Sequence, residues 1–230
     1  MEKLTMPKLV INAGMDEFFL PDDGHYWWDD MTLPKKRLIV PNAEHSEATG
    51  ILELLPAVGA FFNGVIDKAP GPAFDWKISA DGTDIAVQVD AAGEQPLAVH
   101  MWHATTCDSK RRDFRIVNKY EPCLPCGLKV KNLPFGATCT NLKVIWHQEA
   151  LNETAPGSGQ YVAHQDPPSD GRWTAFMVDL TFEGDQKATS ELGWPILPAN
   201  EYEFTTEMSI VPQTFPFPDC TGEACHGTLI

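Results

Sequence analysis

The chain is 230 residues long, 43% hydrophobic and 10% aromatic, which supplies a packed core and excludes a disordered protein. Its 32 acidic residues outnumber 17 basic ones for a formal net charge of −15. An acidic surface of that size repels nucleic-acid phosphates and anionic lipid, so neither nucleic acid nor a membrane is an expected partner.

The N-terminal stretch MEKLTMPKLVINAG carries too short an apolar run for a signal peptide and leads directly into a strand and turn. Lys8 to Asn12 is a continuous apolar run ended by Ala13-Gly14, the pattern of a strand buried on both faces of a parallel sheet. Residues 22–31 (DDGHYWWDDM) open with acids, as a helix N-terminus does, and carry aromatics for packing. Lys36 to Val40 reads as a second strand of the first kind. From Ser46 onward Ile51, Leu52, Leu54, Leu55, Val58, Phe61, Phe62 and Val65 recur at helical spacing. This helix is expected to be buried, because Glu53, Pro56, Gly59, Asn63 and Gly64 interrupt an apolar run shorter than the roughly 18 residues of a membrane span.

Near residue 70 the texture changes. Lys68-Ala-Pro-Gly-Pro-Ala73 stops a helix and favours extended chain, so a hinge is placed there, between an α/β domain at 1–67 and a β domain at 74–230. Alternating patterns recur at 74–79, 84–90, 97–102, 142–146, 173–182 and 203–211, separated by turn-forming clusters. They predict an antiparallel sandwich of the immunoglobulin or fibronectin kind.

Two polar residues stand where chemistry belongs. In open α/β sheets ligands and catalytic groups lie beyond the carboxyl ends of the strands, and Asp16 and His45 occupy equivalent loops after the two N-terminal strands. A carboxylate followed by a histidine is the chain order of the last two members of a Ser–Asp–His triad. The alternative is that each caps the helix that follows it.

Other residues give weaker signals. Three positions along a strand set His100 and His103 on opposite faces, against a shared metal, so no metal or cofactor is expected. Cys123-Leu-Pro-Cys126 has the spacing of a redox dithiol or half a zinc site, but its flanking prolines and β surroundings favour structural disulfides. All six cysteines follow residue 100, which together with the sequon at Asn152 points to an oxidising compartment. Cys220 and Cys225, in one short loop, form the one pair expected. Arg111, Arg112, Asp113 and Arg115 make a dense basic patch, read as a solvated strand end holding an Asp–Arg pair.

The blocks MPKLVINAGMDEFFLPDD (6–23), RLIVPNAEHS (37–46), VHMWHATTCDSKRRDFRI (99–116), RWTAFMVDLTF (172–182) and FTTEMSIVPQTFPFPDC (204–220) resemble the PhoPQ-activated pathogenicity-related family, which includes the autocrine proliferation repressors. The resemblance implies the C-terminal portion of an α/β-hydrolase followed by a β-rich domain, secreted, with Asp16 and His45 as triad acid and base. No Gly-x-Ser-x-x-Gly-like nucleophile segment is present: Ser46 directly follows the histidine and Ser158 lies in a Pro-Gly-Ser-Gly loop. The expected functions are therefore part of a secreted serine hydrolase acting on an ester or peptide, or a non-catalytic signalling or binding protein with a protein partner. A hydrolase portion on its own is further expected to expose apolar surface, and so to be poorly soluble or to associate with another chain.

Overall fold

A computed structural model describes residues 4–68, 71–123, 126–131, 136–140, 144–184, 201–216 and 218. Strand β1 (Lys8–Ala13) pairs in parallel with β2 (Lys35–Val40), and helix α1 (Ile51–Ile66) follows. The remaining strands are β3 (Phe74–Ile78), β4 (Asp84–Val89), β5 (Ala98–Thr105), β6 (Asn118–Lys119), β7 (Leu128–Lys129) and β8 (Cys139–Thr140). After these come β9 (His147–Ala150), β10 (Gln160–His164), β11 (Thr174–Glu183), β12 (Glu201–Thr205) and β13 (Ser209–Val211).

All pairing after β2 is antiparallel. One sheet has the order β10-β4-β3, a larger one β12-β11-β5-β9 with β13 also on β11, and a small one β6-β8-β7. Alternate residues of β4 (Ile85, Val87, Val89) meet Phe176, Val178, Leu180 and Phe182 of β11 in one core, the period-two consequence of burying one strand face.

The expected fold, an α/β-hydrolase sheet portion joined to an immunoglobulin- or fibronectin-like sandwich, is corrected by this arrangement. Among the described residues there is one α-helix and one parallel strand pair, and the bulk is antiparallel sheet. The helix expected over 22–31 shrinks to a single 3-10 turn, Asp23–Tyr26. This segment packs against Arg37, whose buried guanidinium lies 4.4 Å from the Trp28 ring centre and 5.3 Å from that of Trp27. A Cβ at Gly24 would stand 2.1 Å from Arg37 Nη2, so a larger residue there would have to displace the guanidinium.

Among the described residues no further parallel strand flanks the β1–β2 pair. Instead β2 meets β12: the Ile39 amide donates to Thr205 Oγ1 at 3.0 Å. Met15 and Ile39 share a core with Phe114, Trp146 and Met177. The segment expected as a strand at 142–146 forms no ladder over 144–146, and 141–143 lie outside the described residues. Asn42 acts as the missing strand partner, accepting from the Trp146 amide (2.8 Å) and donating to its carbonyl (3.0 Å).

Helix α1 reverses the usual arrangement. Its small residues Pro56, Ala57, Ala60 and Gly64 are buried, whereas Leu52 and Phe62 are each 60% exposed. Tyr202 approaches so closely that a Cβ at Gly64 would lie 2.3 Å from its hydroxyl. The helix is thus only partly buried, against expectation. Residues Ala48–Ile66 are long and apolar enough to cross a membrane by length and composition.

Candidate functional site

Asp16 and His45 come together at the carboxyl ends of β1 and β2. The turn after β1 is tied to the loop after β2 by Gly14 N to Val40 O (2.8 Å) and Met15 N to Ala43 O (2.9 Å). Gly14 is wedged there: a Cβ would be 3.1 Å from Trp146 Nε1 and 3.2 Å from Val40 O. The Trp146 indole donates to Gly14 O at 3.1 Å, so a buried residue of the β-rich portion holds the turn that carries Asp16.

The Asp16 carboxylate, only 5% exposed, faces His45 Nδ1 with both oxygens, Oδ2 at 3.0 Å and Oδ1 at 3.2 Å. Oδ1 also accepts the amides of Phe18 (2.7 Å) and Phe19 (3.0 Å). Burial pushes the carboxyl up, but the Phe19 amide, the His45 contact and the Phe18 amide outweigh it and leave the group below its ordinary value. An ionised acceptor at Nδ1 keeps the proton there, which leaves Nε2 as the basic nitrogen. The Asp16 hydrogen bond, with Asp16, Glu17 and Glu44 charge nearby, raises His45 above its ordinary value.

The histidine side chain is 45% exposed. Phe18 packs edge-on against its ring at 4.7 Å and Phe19 lies at 5.7 Å, while Glu17 Oε2 accepts the His45 amide at 2.9 Å. A carboxylate-oriented imidazole with one free nitrogen at a solvent-facing apolar rim can take a proton from a hydroxyl or water. The capping alternative is divided. Asp16 does accept backbone amides in its turn, whereas the amide of Ala48 near the start of the next helix is met by Glu44 (3.1 Å) and Ser46 (3.4 Å), not by the imidazole.

Neither candidate serine reaches His45. The Ser46 hydroxyl donates to Glu44 Oε1 at 2.7 Å, and Ser158 Oγ accepts the Gln160 amide at 3.1 Å. Sequence reading missed Glu17 and Glu47. Glu47 follows the histidine in a left-handed conformation (φ 57°), and burial together with the Asp16 and Glu44 charges lifts it to about 7. The strain of a non-glycine residue at that φ was the one signal, and it is a backbone property.

The other expectations fall in several places. His103 faces Glu149 (3.2 Å) and His147, while His100 sits opposite Asp179 on the neighbouring strand. The Asp–Arg pair is present, Arg115 donating to Asp113 through Nε (2.9 Å) and Nη2 (2.8 Å). Arg112 instead bridges to Asp22 at 2.6 Å. The two cysteines of the CxxC segment enter different disulfides, Cys107–Cys126 and Cys123–Cys139, which rules out a dithiol pair between them. Two disulfides are the usage of an oxidising compartment. The expected Cys220–Cys225 pair lies outside the described residues.

The profile of the family described as "PhoPQ-activated pathogenicity-related protein" matches residues 1–115, which hold both Asp16 and His45. The chain belongs to this family. This PhoPQ-related chain is also 31% identical, over 228 residues and 96% of its own length, to autocrine proliferation repressor protein A of Dictyostelium discoideum. It covers 41% of that relative's length. No solved structure matches it.

Proposed function

We propose that Asp16 and His45 form the acid and base of a hydrolytic site for ester or peptide bonds, with the nucleophile supplied from outside the described residues. The carrying observation is the contact of both Asp16 oxygens with Nδ1 beside a half-exposed imidazole. The carboxylate fixes the tautomer, Nε2 takes the proton of the attacking hydroxyl, and the resulting imidazolium is stabilised by the same carboxylate before it protonates the leaving group. Phe18 and Phe19 would exclude water from one side of the base. Disulfides and the exposed Asn152 of the sequon support action outside the cytoplasm.

The test uses the longest form of the protein its gene encodes, with p-nitrophenyl butyrate and peptide p-nitroanilides as substrates. His45→Ala lowers kcat by about 10³-fold or more with KM little changed, and Asp16→Asn by a comparable factor. Absence of hydrolysis in the unmodified protein, or activity indifferent to His45→Ala, refutes the proposal.

A second reading is favoured by the name of the relative, a proliferation repressor, and by serines committed elsewhere. In that reading the β-rich portion binds a protein partner and His45 is dispensable. Growth repression that survives His45→Ala supports it, and loss of repression counts against it.

A further inference from the structure

At the opposite end of the β1–β2 pair from His45, about 20 Å away along six residues of strand, lies a cavity of about 410 Å³. Its walls are Phe61 and Val65 of α1 with Tyr202 and Phe204 of β12. Among the described residues its charged lining consists of Lys8, Lys36 and Lys68 with no carboxylate, while Lys36 also borders the neighbouring depression that holds Asp75. In a chain with 32 acids against 17 bases, three cations around one apolar cavity with no acid among them run against the composition.

The lysines differ in how they are held. Lys36 Nζ donates to the Pro72 carbonyl at 2.5 Å and sits over the rings of Phe74 (4.6 Å) and Phe204 (5.1 Å). One carbonyl and two ring faces do not neutralise an ammonium. Desolvation lowers Lys36 to about 8 despite the charge of Asp75, so the site would gain from a bound anion. Lys8 Nζ is shared among the carbonyls of Leu4 (2.9 Å) and Met6 (2.8 Å), with Thr32 Oγ1 at 3.5 Å. Lys68 is exposed at the rim.

We propose that this cavity binds an apolar monocarboxylate, its chain lying between Phe61, Val65, Tyr202 and Phe204 and its head on Lys36, with Lys8 and Lys68 adding long-range attraction. The volume lies within the range of small-molecule pockets, about 300–1,000 Å³, and accommodates a chain of octanoate size. The proposal is independent of the His45 chemistry and uses none of its residues.

The experiment is calorimetric titration of the whole chain with octanoate and, separately, with octanol, which has the same tail and no charge. Octanoate binds with one site and at least tenfold more tightly than octanol, and Lys36→Met erases that preference. The substitution removes a desolvated charge and leaves the thermal transition at or above that of the parent protein. Val65→Trp, on a half-exposed position of α1, fills the cavity without touching Lys36 and weakens octanoate at least tenfold. Equal affinity for octanoate and octanol overturns the proposal, as does octanoate binding unaltered by Lys36→Met or by Val65→Trp.

Discussion

Replacing Glu203 by glutamine should make the protein more stable at pH 8 and change little at pH 5. Glu203 of β12, Asp179 of β11 and Glu53 in the first turn of α1 form a buried carboxyl cluster where the helix meets the large sheet. Trp102 Nε1 reaches Asp179 Oδ2 at 3.4 Å and a carboxyl–carboxylate hydrogen bond joins Glu203 to Asp179, while Glu53 Oε1 finds no partner among the described residues. Burial first, and mutual repulsion second, push Glu203 and Glu53 up, and burial does the same to Asp179. His100, opposite Asp179, is itself held below its ordinary value by burial.

The sign follows from the proton balance. A carboxyl raised in the folded state binds its proton more tightly there than in the unfolded chain. Its stabilising contribution is complete below the unfolded value, 4.5 for glutamate, and is lost as pH rises toward the folded value. Each group that stays protonated to pH 7 therefore costs at most about 3 kcal/mol between pH 4.5 and 7. Glutamine keeps the shape, offers an amide N–H in place of the carboxyl O–H as donor and cannot ionise, so Glu203→Gln removes one such slope. Urea unfolding at pH 5, 6, 7 and 8 measures it: the parent protein loses stability steadily and the variant loses less. General relief of the −15 net charge in acid acts on both proteins alike, so the difference between the curves isolates the cluster. Parallel curves, or a parent protein whose stability rises from pH 5 to 8, would refute the reasoning.

Three further outcomes are expected. Asp16→Asn removes the main cause of the raised His45 value, so the histidine titrates at lower pH, as ¹H–¹⁵N spectra of the imidazole would show; an unmoved titration contradicts the pairing. Replacing both Cys107 and Cys126 by alanine opens a loop of 19 residues' separation and costs about 3 kcal/mol, read from denaturant midpoints in non-reducing buffer. Because Leu52 and Phe62 expose an apolar face on α1, Leu52→Glu with Phe62→Glu raises solubility and lowers self-association in light scattering, whereas an already monodisperse parent protein removes the premise.

Much of the site was legible because it depends on local grammar. An apolar run ended by a turn put Asp16 after β1 and His45 after β2, and parallel pairing from Lys8 opposite Lys35 to Ala13 opposite Val40 brings the ends of both strands level. The fold class was misread because the deciding contacts are remote in the chain. Segment 22–31 packs its Gly24, Trp27 and Trp28 against a guanidinium at residue 37, a contact that no local pattern announces. Whether 142–146 pairs as a strand depends on an asparagine a hundred residues earlier. The single pattern at 203–211 divides at Thr206, whose amide still donates to the Val178 carbonyl at 2.9 Å while its Oγ1, not its carbonyl, accepts the Val178 amide at 3.0 Å. Strand β10 carries alternating Tyr161 and Ala163, but its short run begins immediately after a glycine loop.

The two disulfides interlock along the chain, Cys107 to Cys126 and Cys123 to Cys139, so that each bridge begins inside the span of the other or ends there. One backbone cut anywhere between Cys107 and Cys139 leaves the two fragments covalently joined. A protease that cuts this cysteine-rich stretch once would nick the protein without releasing a piece of it, and the break would become visible only after reduction.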